Sequence, residues 1–286
     1  CLFEDCSSTN SGGAIFANCV DLEENNRRST RANDNYQYAI MIDSCNFTRC
    51  HTKVRGGAIS SGIQTEEIKS GDNDFIIRSC IFVECESGSG GALYFLDGTE
   101  DGDEQTYIGY CTFINCFASG GEGYAISCRS YNADIFRNAF KEHKRGANNA
   151  THSILYIQMN EEVTPNLSFL TFENNSGVSG LKLITASSVT ISNFIFQNYA
   201  DYTPCVNLDQ WTITNAETQV ILDNWQFTNI SESRCIYMSE HKLFKAVIQN
   251  SYFNDTVIIH GNRQYYFDSC GSCIFCHESG NIEVSS

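Results

Sequence analysis

The amino-acid sequence predicts an all-β fold, a right-handed parallel β-helix of roughly ten coils. Three observations lead to this prediction: a repeated motif of cysteine and phenylalanine, strands of alternating polarity, and glycine pairs between them. The composition agrees, because the 286 residues include 21 glycines and 19 phenylalanines but only 2 prolines, and patterns with a helical period are nearly absent. We expect a single domain over 1–286, with regular, cysteine-laddered coils in 1–130 and looser, aromatic-anchored coils in 131–286.

The repeat is clearest in the first part of the chain, where four segments have the form C-x-F-x-x-C followed by a Gly-Gly-Ala-aliphatic strand. The fourth segment carries Tyr124 in place of the second glycine. The phenylalanines of the motifs are Phe3, Phe47, Phe82 and Phe113, and the strands after the glycines contain Ile15, Ile59, Leu93 and Ile126. Beyond residue 130 we expect the aromatic anchor to continue at Phe136, Phe172, Phe196, Phe227, Phe253 and Phe275.

The geometry of β-strands predicts that equivalent residues of successive repeats stack on one another. Because successive side chains of a strand point to opposite faces, we expect Cys1 and Phe3 inside the solenoid and Glu4 outside. Successive coils of a β-helix lie about 4.8 Å apart, so equivalent inward residues stack directly. We therefore predict a ladder of phenylalanines and a ladder of aliphatic residues, with Gly-Gly-Ala at a corner where neighbouring backbones pass close together.

The chain contains 15 cysteines, which indicates an oxidising compartment, since a reducing cytosol would keep them as reactive thiols. The spacing between coils falls within the Cα separation that a disulfide tolerates, about 4.4 to 6.8 Å. The motif cysteines could pair vertically between coils or within one coil, and the alternative is that they pack as small apolar groups. An odd total leaves at least one thiol unpaired or bonded to another chain. The disulfide candidates are Cys1, Cys6, Cys45, Cys50, Cys80, Cys85, Cys111, Cys116, Cys205, Cys235, Cys270, Cys273 and Cys276, with Cys205 and Cys235 expected at matching positions in adjacent coils.

Six segments match the N-glycosylation pattern N-x-[ST], and we expect N-linked glycans on them. Together with the cysteines they predict a secreted protein of the extracellular surface. The chain opens on Cys1 inside a motif, so we expect a processed chain or a segment of a longer one. The acceptor asparagines are Asn46, Asn149, Asn166, Asn174, Asn229 and Asn254.

The formal net charge of −16 argues against nucleic acid as a partner, since phosphate binding needs clustered Lys and Arg. Lys141, Lys144 and Arg145 form one small basic group. The longest apolar run is too short to cross a bilayer, so no membrane span is expected. The acidic stretch 97–104, DGTEDGDE, could gather calcium through its carboxylates, but its spacing fits a solvated insertion better.

The densest group of potential ligands contains three cysteines and a histidine, Cys270, Cys273, Cys276 and His277. Read literally, C-x-x-C-H is the attachment pattern of c-type haem, and three cysteines with a histidine could make a zinc site. Because Phe275 follows Cys273 by two residues, as in the first motif, we expect part of the group to belong to the ladder. We therefore predict disulfides or interchain links there, with no metal site and no bound cofactor.

The Gly-Gly-Ala-aliphatic and F-x-x-N signatures resemble those of polymorphic outer-membrane protein passenger domains and, more broadly, of pectin-lyase-like β-helix proteins on microbial surfaces. The first signature is clear in residues 1–126, where cysteine often stands in place of the family's asparagine. The resemblance implies adhesion or surface architecture and carries no catalytic residues with it. The sequons and cysteines depart from a bacterial autotransporter and favour a eukaryotic surface protein.

Three classes of function fit these features. The main prediction is a non-enzymatic structural glycoprotein of a surface coat or filament, because no capping repeat is evident and copies could stack end to end. The second is an adhesin that binds glycans or host proteins. The third is a polysaccharide lyase or hydrolase, which would need paired acids or a base near the substrate. Its candidate residues, all better explained as solvated outward charges, are Glu4 with Asp5, Asp72 with Asp74, and His260 with Arg263.

Overall fold

The computed structural model describes residues 1–17, 39–61, 74–96, 106–120, 122–129, 133–144, 152–159, 166–185, 187–200, 203–210, 218–231, 235–238, 244–257, 274–276 and 281–285. Every regular element in these ranges is a β-strand, and the strands pair in parallel. The predicted all-β class is confirmed, and the long parallel sheets are consistent with a β-helix. The same ranges contain no helix long and apolar enough to span a membrane.

The strands, numbered β1 to β31 along the chain, form three nine-stranded sheets and one four-stranded sheet. The first sheet contains β1 (Leu2–Glu4), β5 (Asn46–Thr48), β9 (Ile81–Val83), β13 (Thr112–Ile114), β17 (Ala139–Lys141), β20 (Thr171–Glu173), β23 (Ile195–Tyr199), β26 (Gln226–Ser231) and β29 (Tyr252–Val257). The short second sheet contains β2 (Ser7–Ser8), β6 (His51–Thr52), β10 (Glu86–Ser87) and β14 (Phe117–Ala118).

The two remaining sheets each run the full length of the stack. The third sheet contains β3 (Ile15–Ala17), β7 (Ile59–Ser61), β11 (Leu93–Leu96), β15 (Ile126–Arg129), β18 (Ser153–Gln158), β21 (Ser179–Thr185), β24 (Val206–Gln210), β27 (Ile236–Met238) and β30 (Ile274–Cys276). The fourth sheet contains β4 (Ala39–Asp43), β8 (Asp74–Arg78), β12 (Thr106–Gly109), β16 (Ala133–Phe136), β19 (Asn166–Ser168), β22 (Val189–Ser192), β25 (Thr218–Asp223), β28 (Phe244–Gln249) and β31 (Asn281–Ser285).

We use the word coil for one set of successive strands from the fourth, first, second and third sheets. In the coil that begins with β4, the chain passes through β5, β6 and β7 before β8 begins the next coil. Because β8 pairs with β4 and β9 pairs with β5, each coil lies directly on the preceding one in the same register. The second sheet ends at β14, so the later coils have three strands within the described ranges.

Nine phenylalanines stack in one column along the inner face of the first sheet. Adjacent rings are nearly parallel, with centroids 4.7 to 5.2 Å apart and interplanar angles of 2° to 14°. The ladder predicted for the first four motifs is confirmed, and it continues without a break. The column contains Phe3, Phe47, Phe82, Phe113, Phe140, Phe172, Phe196, Phe227 and Phe253.

Two of the predicted anchors lie outside this column. Phe136 ends a strand of the fourth sheet, and Phe140 takes the position in the column that was expected for it. Phe275 pairs in the third sheet, so its expected place in the phenylalanine ladder is wrong. The error at Phe136 arises because an aromatic residue near a corner can belong to either adjoining strand, and sequence spacing does not decide between them.

A second inward column is aliphatic and lies in the third sheet. The predicted neighbours Ile15, Ile59, Leu93 and Ile126 are adjacent, and Leu155, Leu181, Val206 and Ile236 continue the column. Side chains alternate between the two faces of this sheet, since Leu181 and Leu183 are buried while Lys182 is partly exposed. The two columns face each other across one hydrophobic core that extends from Ile42 to Ile248.

The Gly-Gly-Ala stretch forms a corner, as predicted. Gly56 has a φ of 60°, in the left-handed region that glycine adopts without strain. A Cβ atom on Gly57 would overlap the carbonyl oxygen of Gly91 in the next coil. In the coil that ends this sequence pattern, Tyr124 replaces the second glycine and buries its ring against Phe117, where the second sheet ends.

Candidate functional site

Each coil turns a corner just before and just after its strand in the first sheet. At both corners a residue with positive φ is followed by a residue that lies in an inward column. The first corner column contains Cys45, Cys80, Cys111, Asn138, Leu170, Phe194, Trp225 and Ser251. Cys1 takes the equivalent position in the first coil but is exposed, so its predicted place inside the solenoid is wrong. The second corner column contains Cys6, Cys50, Cys85, Cys116, His143, Asn175, Tyr199 and Ile230.

Five cysteines of these columns hydrogen bond to the backbone of the preceding coil, Cys50, Cys80, Cys85, Cys111 and Cys116. The thiol of Cys80 donates to the carbonyl of Ile42 at 3.5 Å. The thiol of Cys85 donates in the same way to Phe47 at 3.6 Å. The backbone amide of the cysteine one coil earlier also interacts with each of these sulfurs. The columns therefore satisfy corner groups that the β ladder leaves without partners.

In later coils, asparagine makes equivalent hydrogen bonds at the same two corners. Asn138 donates from Nδ2 to the carbonyl of Ile108 and accepts the backbone N–H of Cys111 on Oδ1, both at 2.8 Å. At the other corner Asn175 donates to the carbonyl of Phe140 at 3.2 Å and accepts the N–H of the residue below it at 2.8 Å. Cysteine and asparagine are therefore interchangeable here because each offers a donor and an acceptor to the same pair of backbone groups.

The geometry separates the two disulfide arrangements that the sequence left open. Cys45 and Cys50 lie at opposite ends of one strand, roughly 15 Å apart along an extended chain, while a disulfide needs Cα atoms within about 7 Å. In contrast, Cys80 and Cys111 lie at matching positions in neighbouring coils, since the N–H of Thr112 donates to the carbonyl of Cys80 at 3.0 Å. Pairing within a coil is therefore excluded for these motifs, and vertical pairing remains possible. The structure shows the thiols of both corner columns in reduced form.

The electrostatic environment of these thiols opposes reaction. Burial raises the pKa of Cys128 to about 12. Hydrogen bonding to Cys85, together with burial, raises the pKa of Cys50. Cys80 and Cys111 also interact across neighbouring coils, which lowers the pKa of Cys80 and raises that of Cys111.

The other cysteine candidates fall partly outside the described residues. Cys205 and Cys235 are buried at the start of adjacent strands, since the N–H of Val206 donates to the carbonyl of Cys235, so their predicted matching positions are confirmed. Cys270, Cys273 and His277 lie outside the described residues, as does the acidic stretch 97–104. Among the residues that are described, no group of three or more metal-binding side chains is present.

Glu4 and Asp5, one of the candidate acidic pairs for catalysis, both form salt bridges with an arginine. Arg49 contacts Glu4 at 2.7 Å and both oxygens of Asp5 at 2.7 and 3.0 Å. The hydrogen bond from Arg49 lowers the pKa of Asp5, so this carboxyl is poorly suited to act as a general acid. A similar ion pair joins Arg78 to Asp43 across neighbouring coils. Asp72, His260 and Arg263 lie outside the described residues, and Asp74 begins β8.

The sequons occupy different surroundings. The described acceptors Asn46, Asn166, Asn174 and Asn229 are exposed, Asn254 is partly exposed, and Asn149 lies outside the described residues. Asn174 and Asn229 belong to an outward amide column, in which Asn198 bonds to both at 2.9 and 2.8 Å. These two asparagines therefore have a structural role that the sequon pattern alone does not reveal.

One buried polar group stands out in the second corner column. His143 is fully buried, and its Nδ1 lies 3.2 Å from the Oδ1 of Asn175, while its Nε2 has no hydrogen-bond partner among the described residues. Burial lowers the pKa of His143 to about 3, so the imidazole is neutral at physiological pH. Sequence reasoning missed this site because His143 belongs to no cysteine motif. Its equivalence to the cysteines of the second corner column becomes evident only when the coils are aligned by column.

Sequence reasoning also missed an exposed cluster on the outer surface of the first corner. Arg137 stacks over Phe136 at 4.9 Å, over Phe169 at 5.5 Å and over Tyr110 at 5.7 Å, measured from Cζ to each ring centroid. We call these four residues the Arg137 platform. The signal in the sequence is a large residue directly before the inward corner residue in three successive coils.

In comparisons with known proteins, no protein-family model, no curated protein and no solved structure matches this chain. The resemblance to polymorphic outer-membrane and pectin-lyase-like proteins therefore stays a prediction. What the chain does must be inferred from its own geometry.

The buried histidine predicts a specific dependence of stability on pH. Because the pKa of His143 is about 3 in the folded protein and about 6.5 when unfolded, the unfolded chain binds the extra proton as the pH falls below 6.5. The free energy of unfolding should therefore fall by about 1.4 kcal/mol for each pH unit between these values. Urea unfolding of the wild type and of His143→Gln at pH 7.5, 5.5 and 4.5 measures the difference. Parallel pH profiles for the two proteins would contradict the assignment.

Proposed function

We propose that this protein is an extracellular structural glycoprotein, a right-handed parallel β-helix of roughly ten coils that assembles end to end with other copies in a surface coat or filament. The observation that carries the proposal is the repeated stacking of parallel strands in all four sheets. The stacking that holds the coils together inside one chain would also hold copies together.

The four strands at one end of the stack are edges of their sheets: β1, β2, β3 and β4 each pair on one side within the described residues. Three large apolar side chains on these strands are exposed, Leu2 at 65%, Phe16 at 42% and Met41 at 57%. Soluble proteins normally protect edge strands with charge, proline or a covering element. An apolar edge favours pairing with another strand.

The first residues of the phenylalanine and aliphatic columns are partly exposed at the same end of the stack. Phe3 and Ile15 are partly exposed, although the next members of their columns, Phe47 and Ile59, are fully buried. Phe253 at the far side of the phenylalanine column is also partly exposed. A further coil, from this polypeptide or from another copy, would bury these rings and extend the stack, and each buried side chain would contribute roughly 1.5 to 3 kcal/mol.

The extracellular assignment depends on the cysteines and sequons. The exposed Asn46 and Asn166 support N-linked glycosylation, because an oligosaccharide there would extend into solvent. The net charge of −16 favours solubility of the lateral surface and opposes side-by-side association of copies. A polysaccharide-cleaving activity is the weaker candidate, since Arg49 occupies both carboxylates of the most conspicuous acidic pair.

End-to-end assembly is tested by placing a charge on the open face. In electron micrographs the native protein should form linear assemblies, and Phe3→Lys should give single particles because a lysine there cannot be buried in the column. Val83→Lys is the matched control, since it adds the same charge to the outer face of the first sheet in an interior coil.

Circular dichroism shows whether both variants keep their strand content. The proposal is wrong if the native protein consists of monodisperse monomers, or if folded Phe3→Lys assembles as well as Val83→Lys.

We further propose that vertical pairs of cysteines oxidise in the secretory pathway. Each bond would form by thiol–disulfide exchange, in which the thiol pair loses two protons and two electrons and an external disulfide takes up both and becomes two thiols. Cys80 with Cys111 is one such pair, because the two buried cysteines lie at matching positions in neighbouring coils.

Peptide mapping of the native protein without reductant, after alkylation of free thiols, should find links between neighbouring coils. A link from Cys45 to Cys50, or complete alkylation of the corner cysteines, would contradict this proposal. In the second case the columns would remain hydrogen-bonded thiols.

A further inference from the structure

The Arg137 platform places bulky side chains where the backbone does not favour them. Tyr110 and Phe169 have φ angles of 58° and 56°, in the left-handed region that bulky L residues seldom occupy. The flanking coils carry Ser79 and Asn193 at the same corner, and asparagine tolerates this conformation well. Burial does not explain the two aromatic residues either, since Tyr110 is 51% and Phe169 is 45% exposed. Strained side chains that remain exposed are typical of functional surfaces.

The charge at the centre of the platform is not neutralised by a salt bridge among the described residues, a property that Arg137 shares with Arg55 on the ring of Tyr94. Arg49, Arg78 and Arg129 each form a salt bridge with a carboxylate. Arg137 has no carboxylate within salt-bridge distance among the described residues, although the net charge of the chain is −16. Among the described residues, its hydrogen-bond partner is the hydroxyl of Tyr110, at 3.4 Å from Nη1.

The rings hold the guanidinium in place before any ligand arrives. Phe136 contacts both Tyr110 and Phe169 edge to face, with centroids 5.8 and 5.4 Å apart, so the three rings support one another. Stacking over them restrains Arg137 and leaves its N–H groups available to a planar anion. Because the side chain is already ordered, binding would cost less conformational entropy than it does for a mobile arginine.

We propose that the Arg137 platform binds a glycan that carries an isolated carboxylate, such as a terminal sialic acid. Arg137 would meet the carboxylate in a bidentate, charge-assisted pair. The exposed parts of Tyr110 and Phe169 would pack against the apolar face of the sugar. An aromatic side chain can make such an apolar contact while another part of it stays in contact with water. A ligand with a single carboxylate fits better than a polyuronate, since a chain with a net charge of −16 repels a densely charged anion. This site is independent of end-to-end assembly because it lies on the lateral surface.

The test uses sialyllactose and its neutral parent lactose as matched probes. Isothermal titration is carried out on an Asn166→Gln background, so that a glycan on the neighbouring sequon cannot occupy the platform. Sialyllactose should bind at least about tenfold more tightly than lactose, which corresponds to one charge-assisted contact. Arg137→Gln should abolish this preference, whereas Arg78→Gln, which removes a salt-bridged arginine two coils earlier, should leave it unchanged.

A purely structural role for the platform gives a different result. Phe169→Ser introduces the residue type found at Ser79, so the corner should still fold while sialyllactose binding weakens by at least about tenfold. A lower thermal midpoint with unchanged affinity would show that the platform only stabilises the corner. The proposal is also overturned if neither probe binds, if both bind equally, or if Arg78→Gln has the same effect as Arg137→Gln.

Discussion

The in-register stacking of one coil on the next is the constraint on which the rest of the structure depends. Ring centroids in the phenylalanine column repeat every 4.7 to 5.2 Å, so each side chain has an equivalent directly above and below it. A residue in such a column must match its neighbours in shape and in hydrogen bonding, not only in hydrophobicity. This explains why one column is aromatic, one is aliphatic, and why the Gly57 position has no room for a side chain.

The corners show how strongly the backbone dictates the choice of side chain. Cysteine, asparagine and tryptophan look unrelated in the sequence, yet Cys111, Asn138 and Trp225 each donate to a carbonyl of the preceding coil. A buried carbonyl without a partner is costly, so any side chain with a suitably placed donor is acceptable. The cysteines therefore have a role as thiols, and oxidation of a pair would replace these hydrogen bonds with a covalent link between coils.

The regular first coils could be predicted from the sequence because their motif fixes the parity of the strand. The phenylalanine ladder through Phe113, the aliphatic ladder and the glycine corners all follow from that motif. After residue 130 the motif weakens, and Phe136 and Phe140 then compete for the same place. Two aromatic residues four positions apart, with a corner between them, cannot be assigned to strands without knowing where the corner falls.

The candidate sites were harder to predict than the fold. The sequence indicated chemistry from local patterns, such as the acidic pair that Arg49 neutralises. The Arg137 platform and the buried His143 arise instead from residues 27 to 32 positions apart that the coils bring together, as in the contacts of Arg137 with Tyr110 and of His143 with Asn175. Such sites become visible only after the coils have been aligned by column.

The continuity of the stack beyond the cysteine-rich coils is the central claim, and comparing Phe140→Ala with Phe136→Ala tests it most directly. Phe140 is fully buried in the phenylalanine column, so its truncation should lower the free energy of unfolding by about 3 to 5 kcal/mol. Phe136 is partly exposed under Arg137, and its truncation should cost no more than about 1 kcal/mol. A larger loss of stability in Phe136→Ala than in Phe140→Ala, measured by urea unfolding, would contradict the register of the whole stack.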